Sequence, residues 1–295
     1  MTSNIENIKN VVVVGAGLMG SGIAGMAAVA GFQVTIVDLD KKLLEKSKEQ
    51  IAITLERVGR KKFKQNETKI NEFIQNSLRN ISDSTDLLEV VKNADIVIEA
   101  IVENLEAKQK MFQSIDKIAK PSAIFASNTS ALPIREISKN STRLDRFCGL
   151  HFFNPVAVMK LLEVIRIPET SETTYKTVMD FGAKMGKTCV TCKDTPGFIV
   201  NRLLLPYMSE SVRMLERGDA SKEDIDMAMK LGAGMPMGPF ELSDLVGIDT
   251  MKNARDFYHR MAPENELFFP SPLINKMVQE GKLGLKTGEG FYNYK

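Results

Sequence analysis

Two rhythms of apolar residues run along this chain. Through residue 193, short runs of consecutive apolar positions alternate with longer stretches in which apolar residues recur at helical spacing. That alternation is the pattern of a parallel sheet whose strands are linked by crossover helices. Strands are predicted at 11–14, 33–37, 94–101, 123–127, 146–153, 161–167 and 187–193, and helices at 18–30, 104–120 and 171–185. The helix over 18–30 is rich in Gly and Ala, which suits close packing on a sheet. A mostly charged stretch from Lys41 to about Leu78 reads as a helical arm. The rhythm changes at Lys193-Asp194-Thr195-Pro196-Gly197, and no strand of comparable quality follows. Residues 198–217 read as a helix that Pro206 should kink. Ser221 with Asp224 is a helix start signal. Residues 232–239 form a Gly/Pro/Met loop, and 242–261 are helical again. The expected organisation is an α/β domain over 1–193 followed by a smaller all-helical domain over 194–295.

The first predicted strand runs directly into Gly15-Ala16-Gly17-Leu18-Met19-Gly20 and then a helix. In that context each glycine has its own part to play. Gly15 permits a tight turn, Gly17 allows close approach of backbone N–H groups to a pyrophosphate, and Gly20 packs helix on strand. A helix N-terminus favours the phosphates. Asp38 ends the second strand, where an acid accepts hydrogen bonds from a ribose hydroxyl and repels a 2′-phosphate. Strand, turn, helix and acid in register predict a Rossmann-type domain that binds NAD in preference to NADP, with Lys41 and Lys42 keeping NADP as a minor alternative.

Composition narrows the classes further. The 295 residues can bury a sizeable core. Lys and Arg number 39 against 37 Asp and Glu, a net charge of +2, so no electrostatic case for nucleic acid arises. There is no apolar run of membrane-spanning length. Met1-Thr2-Ser3-Asn4-Ile5-Glu6 has neither a signal peptide's apolar core nor a transit peptide's arginines, so a cytoplasmic protein is expected, with a mature organelle form still open. Cys148-x-x-His151 and Cys189-x-x-Cys192 look like halves of a zinc site. Residues three apart on a strand point to opposite faces, so buried thiols and no metal are expected.

With only two histidines in the chain, groups that titrate near neutral pH are scarce. His259 sits in a predicted helix, where a surface role suffices. His151 lies near the end of a predicted strand, where ligands of open α/β sheets gather. Its bland reading is a satisfied core histidine. Glu163, a short way downstream, could hold the imidazole in one tautomer, as in other His–carboxylate pairs. Ser130 follows a strand at the carboxyl edge of the sheet, and Asn201 lies on the first helix after the junction, from which it could reach back into an interdomain cleft. Either could equally serve as an ordinary loop or helix residue. Arg57, Arg60, Lys61 and Lys64 form a basic stripe on one helical face, either a solvated surface or an anchor for a phosphorylated substrate. Gly59 marks a weak point of that helix. No Tyr has a Lys four residues on, which argues against a Tyr–Lys alcohol dehydrogenase.

Together these residues resemble the L-3-hydroxyacyl-CoA dehydrogenase family, and within it the short, bacterial-type 3-hydroxybutyryl-CoA dehydrogenases. The resemblance covers essentially the whole chain. It rests on the glycine turn, on Ala126-Ser127-Asn128-Thr129-Ser130, on His151-Phe152-Phe153-Asn154-Pro155 through Met159-Lys160-Leu161-Leu162-Glu163-Val164, and on Asp194-Thr195-Pro196-Gly197-Phe198-Ile199-Val200-Asn201-Arg202. The tail Lys286-Thr287-Gly288-Glu289-Gly290-Phe291-Tyr292 completes it. The resemblance implies that His151 and Glu163 are the catalytic pair and that Ser130 and Asn201 position substrate. It implies cofactor contacts at Asp38, Glu103, Lys108, Ser130, Asn154 and Lys286, besides the turn with Leu18 and Met19. It also implies coenzyme A contacts at Thr54 and Lys61, and a homodimer formed through the helical domain.

The activity so implied is reversible NAD-dependent oxidation of a (3S)-3-hydroxyacyl-CoA, with His151 and Glu163 as the general acid/base pair. Butyrate fermentation, fatty-acid oxidation and polyester-precursor metabolism all use this step. A 3-hydroxyacid dehydrogenase with a lysine base would place that Lys four residues before Asn201, where this chain has Gly197. The alternative from another class is a non-catalytic dinucleotide-binding or structural protein of the same fold.

Overall fold

The computed structural model describes residues 4–294. The chain falls into two compact units that divide between Phe198 and Ile199. The first unit contains β1 (Asn10–Val14), α1 (Leu18–Val29), β2 (Gln33–Val37), α2 (Lys41–Phe63), α3 (Glu67–Leu78), β3 (Ile81–Ser84) and the single turn α4 (Leu87–Val90). It continues with β4 (Ile96–Glu99), α5 (Leu105–Asp116), β5 (Ile124–Ser127), the short α6 (Ile134–Ile137), β6 (Phe147–Phe152), β7 (Leu161–Arg166), α7 (Glu172–Lys184) and β8 (Thr188–Lys193). One sheet holds all these strands in the order β3-β2-β1-β4-β5-β6-β7-β8. Its neighbours are parallel except for β6 and β7, which are antiparallel.

The central strands are apolar along their whole length because both faces are covered. On one face Val11, Val13, Val34, Ile36, Ile96 and Ile98 join Ile23, Ala24 and Ala27 of α1 and Phe181 of α7 in a continuous buried cluster. On the sheet's own strands Phe125 and Phe147 meet Phe112 of α5, with Phe112 and Phe147 edge to face at 4.6 Å between ring centroids. Each buried Val, Ile or Phe contributes roughly 1.5–3 kcal/mol relative to exposure.

Several elements depart from the expected pattern. The charged arm is two helices. Lys64 takes a positive φ of 56°, and the Asn66 side chain caps α3 by accepting from the N–H of Lys69. Lys64 therefore lies beyond the end of α2, outside the basic stripe. Gly59 lies where α2 and α3 approach closely: a Cβ there would sit 3.2 Å from Ile70 and 3.3 Å from Phe73. β3 is absent from the expected strands because Ile81-Ser82-Asp83-Ser84 is a polar edge strand with one partner and little apolar signal. The sheet is mixed at β7, a consequence of the short return from β6.

The second unit contains α8 (Val200–Arg217), α9 (Lys222–Gly232), α10 (Pro239–Val246), α11 (Ile248–Met261) and α12 (Pro272–Gln279). α8 runs through Pro206, and the expected helix over 242–261 is broken at Gly247, whose φ is 101°. Val212, Ile225, Phe240, Ile248 and Ile274 form this unit's core. The turn 194–197 stays with the first unit because the Asp194 carboxylate accepts from the N–H groups of Ile134 and Arg135 at 2.9 and 2.8 Å. Among the described residues no helix is long and apolar enough to cross a membrane.

Gly149 of β6 tests this packing. A Cβ there would lie 2.8 Å from Ile134 Cδ1 and 2.9 Å from Ile165 Cβ. Gly149→Ala is expected to lower stability by about 1–3 kcal/mol through overpacking. An unchanged urea midpoint would show that the neighbouring side chains yield freely.

Candidate active site

Four strand ends converge on one edge of the sheet. β1, β4, β5 and β6 all run toward it, and antiparallel β7 starts from it. The chain order reverses between β1 and β4, the switch point where open α/β sheets bind ligands.

At the end of β1, Gly15 has a φ of 107°, a left-handed conformation that disfavours other residues. A Cβ on Gly15 would come within 2.5 Å of the Ala100 carbonyl oxygen, and one on Gly20 within 1.8 Å of the Gly15 carbonyl oxygen. A Cβ on Gly17, by contrast, would meet nothing within 4 Å. The turn is thus tight against the strand ends and open at the start of α1, where Leu18 is exposed, Met19 is half-buried, and a helix N-terminus favours an anion. Asp38 Oδ2 accepts from the Ala16 N–H at 2.8 Å, so the acid ending β2 is fastened to the turn itself. These features fit a dinucleotide.

His151 and Glu163 face each other across β6 and β7 in direct register. His151 Nδ1 lies 2.7 Å from Glu163 Oε2. His151 is 5% exposed and Glu163 0%. With Glu163 ionised, Nδ1 carries the donated hydrogen and Nε2 is left as the acceptor. Phe153 and Phe198 flank the imidazole, with ring centroids at 4.5 and 5.5 Å. Phe198 reaches it from a positive φ of 52°, an uncommon conformation for a bulky side chain.

Beyond β4 stands a polar cluster that sequence reasoning found only in part. Glu99 is 0% exposed and Lys108 of α5 is 1% exposed. Lys108 Nζ lies 2.5 Å from Glu99 Oε1 and 3.0 Å from Glu103 Oε2. Glu99 also accepts from the Ile101 N–H at 2.8 Å and the Ser127 hydroxyl at 2.5 Å. Glu103 Oε1 accepts from the Thr129 hydroxyl at 2.5 Å and from the N–H groups of Ser130 and Ala131, each at 3.2 Å. Ser130 is exposed on the loop so held. Burial pushes the Glu99 carboxyl above its ordinary range against the pull of Lys108. Burial acts the same way on Glu103, but Lys108 and the Thr129 hydroxyl outweigh it and hold that carboxyl below its ordinary range. The missed residues Glu99 and Thr129 had one sequence signal, a lone acid closing the apolar run Ile96-Val97-Ile98.

Asn154 follows β6 and precedes a cis peptide to Pro155. The loop beyond it is tied down by Lys187, whose ammonium donates to the carbonyls of Val156 and Met159. On α2, the Thr54 hydroxyl donates to the Gln50 carbonyl at 2.8 Å, and Lys61 is exposed. Arg60 of the same stripe is engaged by Glu56 and Glu67 at 3.0 and 2.9 Å, which leaves Lys61 as the more available cation. In the second unit, Asn201 lies in the first turn of α8. Lys286 binds both oxygens of Asp249 at 2.5 and 2.6 Å. His259 is half-buried rather than a plain surface residue, its ring 5.6 Å from Phe269.

The three cysteines are free thiols. Cys148 is fully buried, and burial pushes its thiol up to about 12. Cys189 lies against Gly182 and Met179 of α7. Cys192 is half-buried and pushed up to about 12 by burial and then by the charge of Glu163.

Residues 10–195 match the NAD-binding domain of 3-hydroxyacyl-CoA dehydrogenase, and residues 197–294 match that enzyme's C-terminal domain. The chain belongs to the 3-hydroxyacyl-CoA dehydrogenase family. It is 57% identical to the mitochondrial hydroxyacyl-coenzyme A dehydrogenase of Rattus norvegicus over 288 residues, 98% of this chain and 92% of that protein. It is 45% identical to a probable 3-hydroxybutyryl-CoA dehydrogenase of Bacillus subtilis over 287 residues, 97% of this chain and 98% of that one. The crystal structure of (S)-3-hydroxybutyryl-CoA dehydrogenase from Ralstonia eutropha is similar with a TM-score of 0.89 and 41% identity, covering 98% of this chain and 99% of that chain.

The depressed Glu103 carboxyl sets an acid limit. A group whose folded pKa lies below its unfolded value contributes stability above the unfolded pKa, and that contribution is lost as pH falls through the folded one. Wild type is therefore expected to exceed Glu103→Gln in urea midpoint at neutral pH, with the gap closing below about pH 4. A gap that widens on acidification would contradict this sign.

Proposed function

We propose that this protein is an NAD-dependent 3-hydroxyacyl-CoA dehydrogenase that reversibly oxidises a (3S)-3-hydroxyacyl-CoA to the 3-ketoacyl-CoA, with 3-hydroxybutyryl-CoA as its substrate. The observation that carries this reading is the buried His151–Glu163 pair at 2.7 Å, at the sheet edge that also bears the dinucleotide turn. The names of the Bacillus and Ralstonia relatives support the acyl class.

Bound NAD supplies the hydride acceptor. Gly15, Gly17, Leu18, Met19 and Gly20 form its turn, and Asp38, Glu103, Lys108, Ser130, Asn154 and Lys286 contribute further contacts. His151 accepts the proton of the C3 hydroxyl at Nε2, the nitrogen that Glu163 leaves free. In the reverse direction the imidazolium returns that proton to the forming alkoxide. Glu163 holds the ring in this tautomer, while Phe153 and Phe198 limit water at the ring. Ser130 and Asn201 orient the reacting oxygen, so that positioning supplies part of the acceleration. Thr54 and Lys61 hold the coenzyme A portion.

The domain roles belong to the same proposal: residues 1–193 bind the cofactor, and 194–295 contribute to substrate binding and dimer formation. A cytoplasmic place in butanoate or fatty-acid metabolism is proposed beside relatives named mitochondrial. Fractionation of the native host tests it.

The deciding assay is oxidation of NADH with acetoacetyl-CoA, run in parallel with NADPH and with free acetoacetate. Turnover only with the thioester and NADH is expected. NADH binding without any thioester reduction would favour the non-catalytic dinucleotide-binding alternative. His151→Gln is expected to reduce turnover by about 10²–10⁴ with NADH affinity retained; a loss below about tenfold removes His151 as the base. Glu163→Gln is expected to lower turnover while NADH still binds, and unchanged turnover would exclude Glu163 from the mechanism.

A further inference from the structure

Glu99, Lys108 and Glu103 form a charged cluster with an unequal balance. Two carboxylates surround one ammonium, at 2.5 and 3.0 Å, which leaves one negative charge in excess. The groups that contact the Glu99 carboxyl are the Lys108 ammonium, the Ile101 N–H and the Ser127 hydroxyl, all able to donate, an arrangement that suits the ionised form. Glu99 and Lys108 are buried while the Glu103 side chain is 37% exposed, so water screens the excess only in part.

The place of the cluster matters as much as its charge. A dinucleotide on this type of sheet sets its pyrophosphate at the α1 N-terminus and extends one half to either side of the switch point. Asp38, at the end of β2, marks the adenosine side. The nicotinamide half then lies over the ends of β4 and β5. Glu99 ends β4, Ser127 ends β5, and Glu103 holds the loop 129–131 that follows β5. Gly15 lies close against Ala100, the residue next to Glu99.

We propose that the Glu99–Lys108–Glu103 cluster tunes the bound cofactor couple, favouring the oxidised nicotinamide, which carries a positive charge, over the reduced ring, which is neutral. The physics is that of any charge beside a group with a charged and a neutral form: the opposite charge stabilises the charged form. Glu99 acts here through Lys108, as a positioning residue that also contributes charge. The proposal rests on the NAD reading above, but it concerns cofactor alone and needs no acyl-CoA.

The measurement is the dissociation constant of NAD⁺ and of NADH, each without substrate, in the full-length protein. Glu99→Gln and Glu103→Gln each remove one negative charge and keep the side-chain shape. Either is expected to raise the ratio Kd(NAD⁺)/Kd(NADH) by about three- to tenfold. Glu106→Gln removes the same charge from the exposed Glu106–Lys110 pair on α5 and is expected to leave the ratio within about twofold. If Glu99→Gln does not fold, Glu103→Gln carries the test, since its side chain is 37% exposed. A folded Glu99→Gln or Glu103→Gln protein whose ratio stays within about twofold of wild type overturns the proposal. Equal weakening of both forms also overturns it, because a purely structural role predicts that result. Binding of neither form by wild type would remove the cofactor reading and the tuning together, whereas binding without thioester reduction would remove only the substrate reading.

Discussion

The antiparallel register of β6 and β7 is the constraint on which the rest of the site depends. His151 and Glu163 occur at positions that face one another, so a single pairing of two strands creates the hydrogen bond between them. A slip of one residue would turn one partner to the opposite face of the sheet. Both strands are buried on both faces, so the packing that fixes this register is also what holds the imidazole against Glu163. Gly149, two residues before His151, lets β6 lie close to Ile134 and Ile165, so core packing and the His151–Glu163 pair share the same few ångströms.

Around that pair the sheet edge is divided into zones of different polarity. The β1–α1 turn offers backbone N–H groups and an open Gly17, a setting for phosphate oxygens. The ends of β4 and β5 carry buried charge balanced by dense hydrogen bonding. The end of β6 is aromatic around His151. Three settings of different polarity thus stand on separate strand ends of one sheet, at the edge where ligands of open α/β sheets gather.

Much of this was legible from the chain. Apolar runs and the glycine turn identified the core strands, because doubly covered strands must be apolar and the turn has few sequence solutions. His151 stood out through the scarcity of histidine. What escaped was set by tertiary context. β3 is an edge strand and carries little apolar signal. The break at Lys64–Asn66 depends on a positive φ and a side-chain cap within a charged stretch that reads as continuous helix. Glu99 and Thr129 gain meaning only when β4, β5 and α5 come together. Phe198 follows from a turn that periodicity does not describe.

The return from β6 to β7 has a consequence for how the chain acquires its structure. These are the antiparallel neighbours among the described strands, and only the loop 153–160 separates them. Their contacts are local in sequence, whereas β1 must find β4 across α1, α2, α3, α4 and two strands. Loop closure favours near contacts over distant ones. The hairpin that bears the His151–Glu163 pair thus has the lowest entropic barrier of any strand pairing in the sheet, and the switch point that receives a dinucleotide has one of the highest. During synthesis the His151–Glu163 pair emerges on β6 and β7, after every strand of the first unit but β8, while the glycine turn after β1 is made early and waits for the sheet to close.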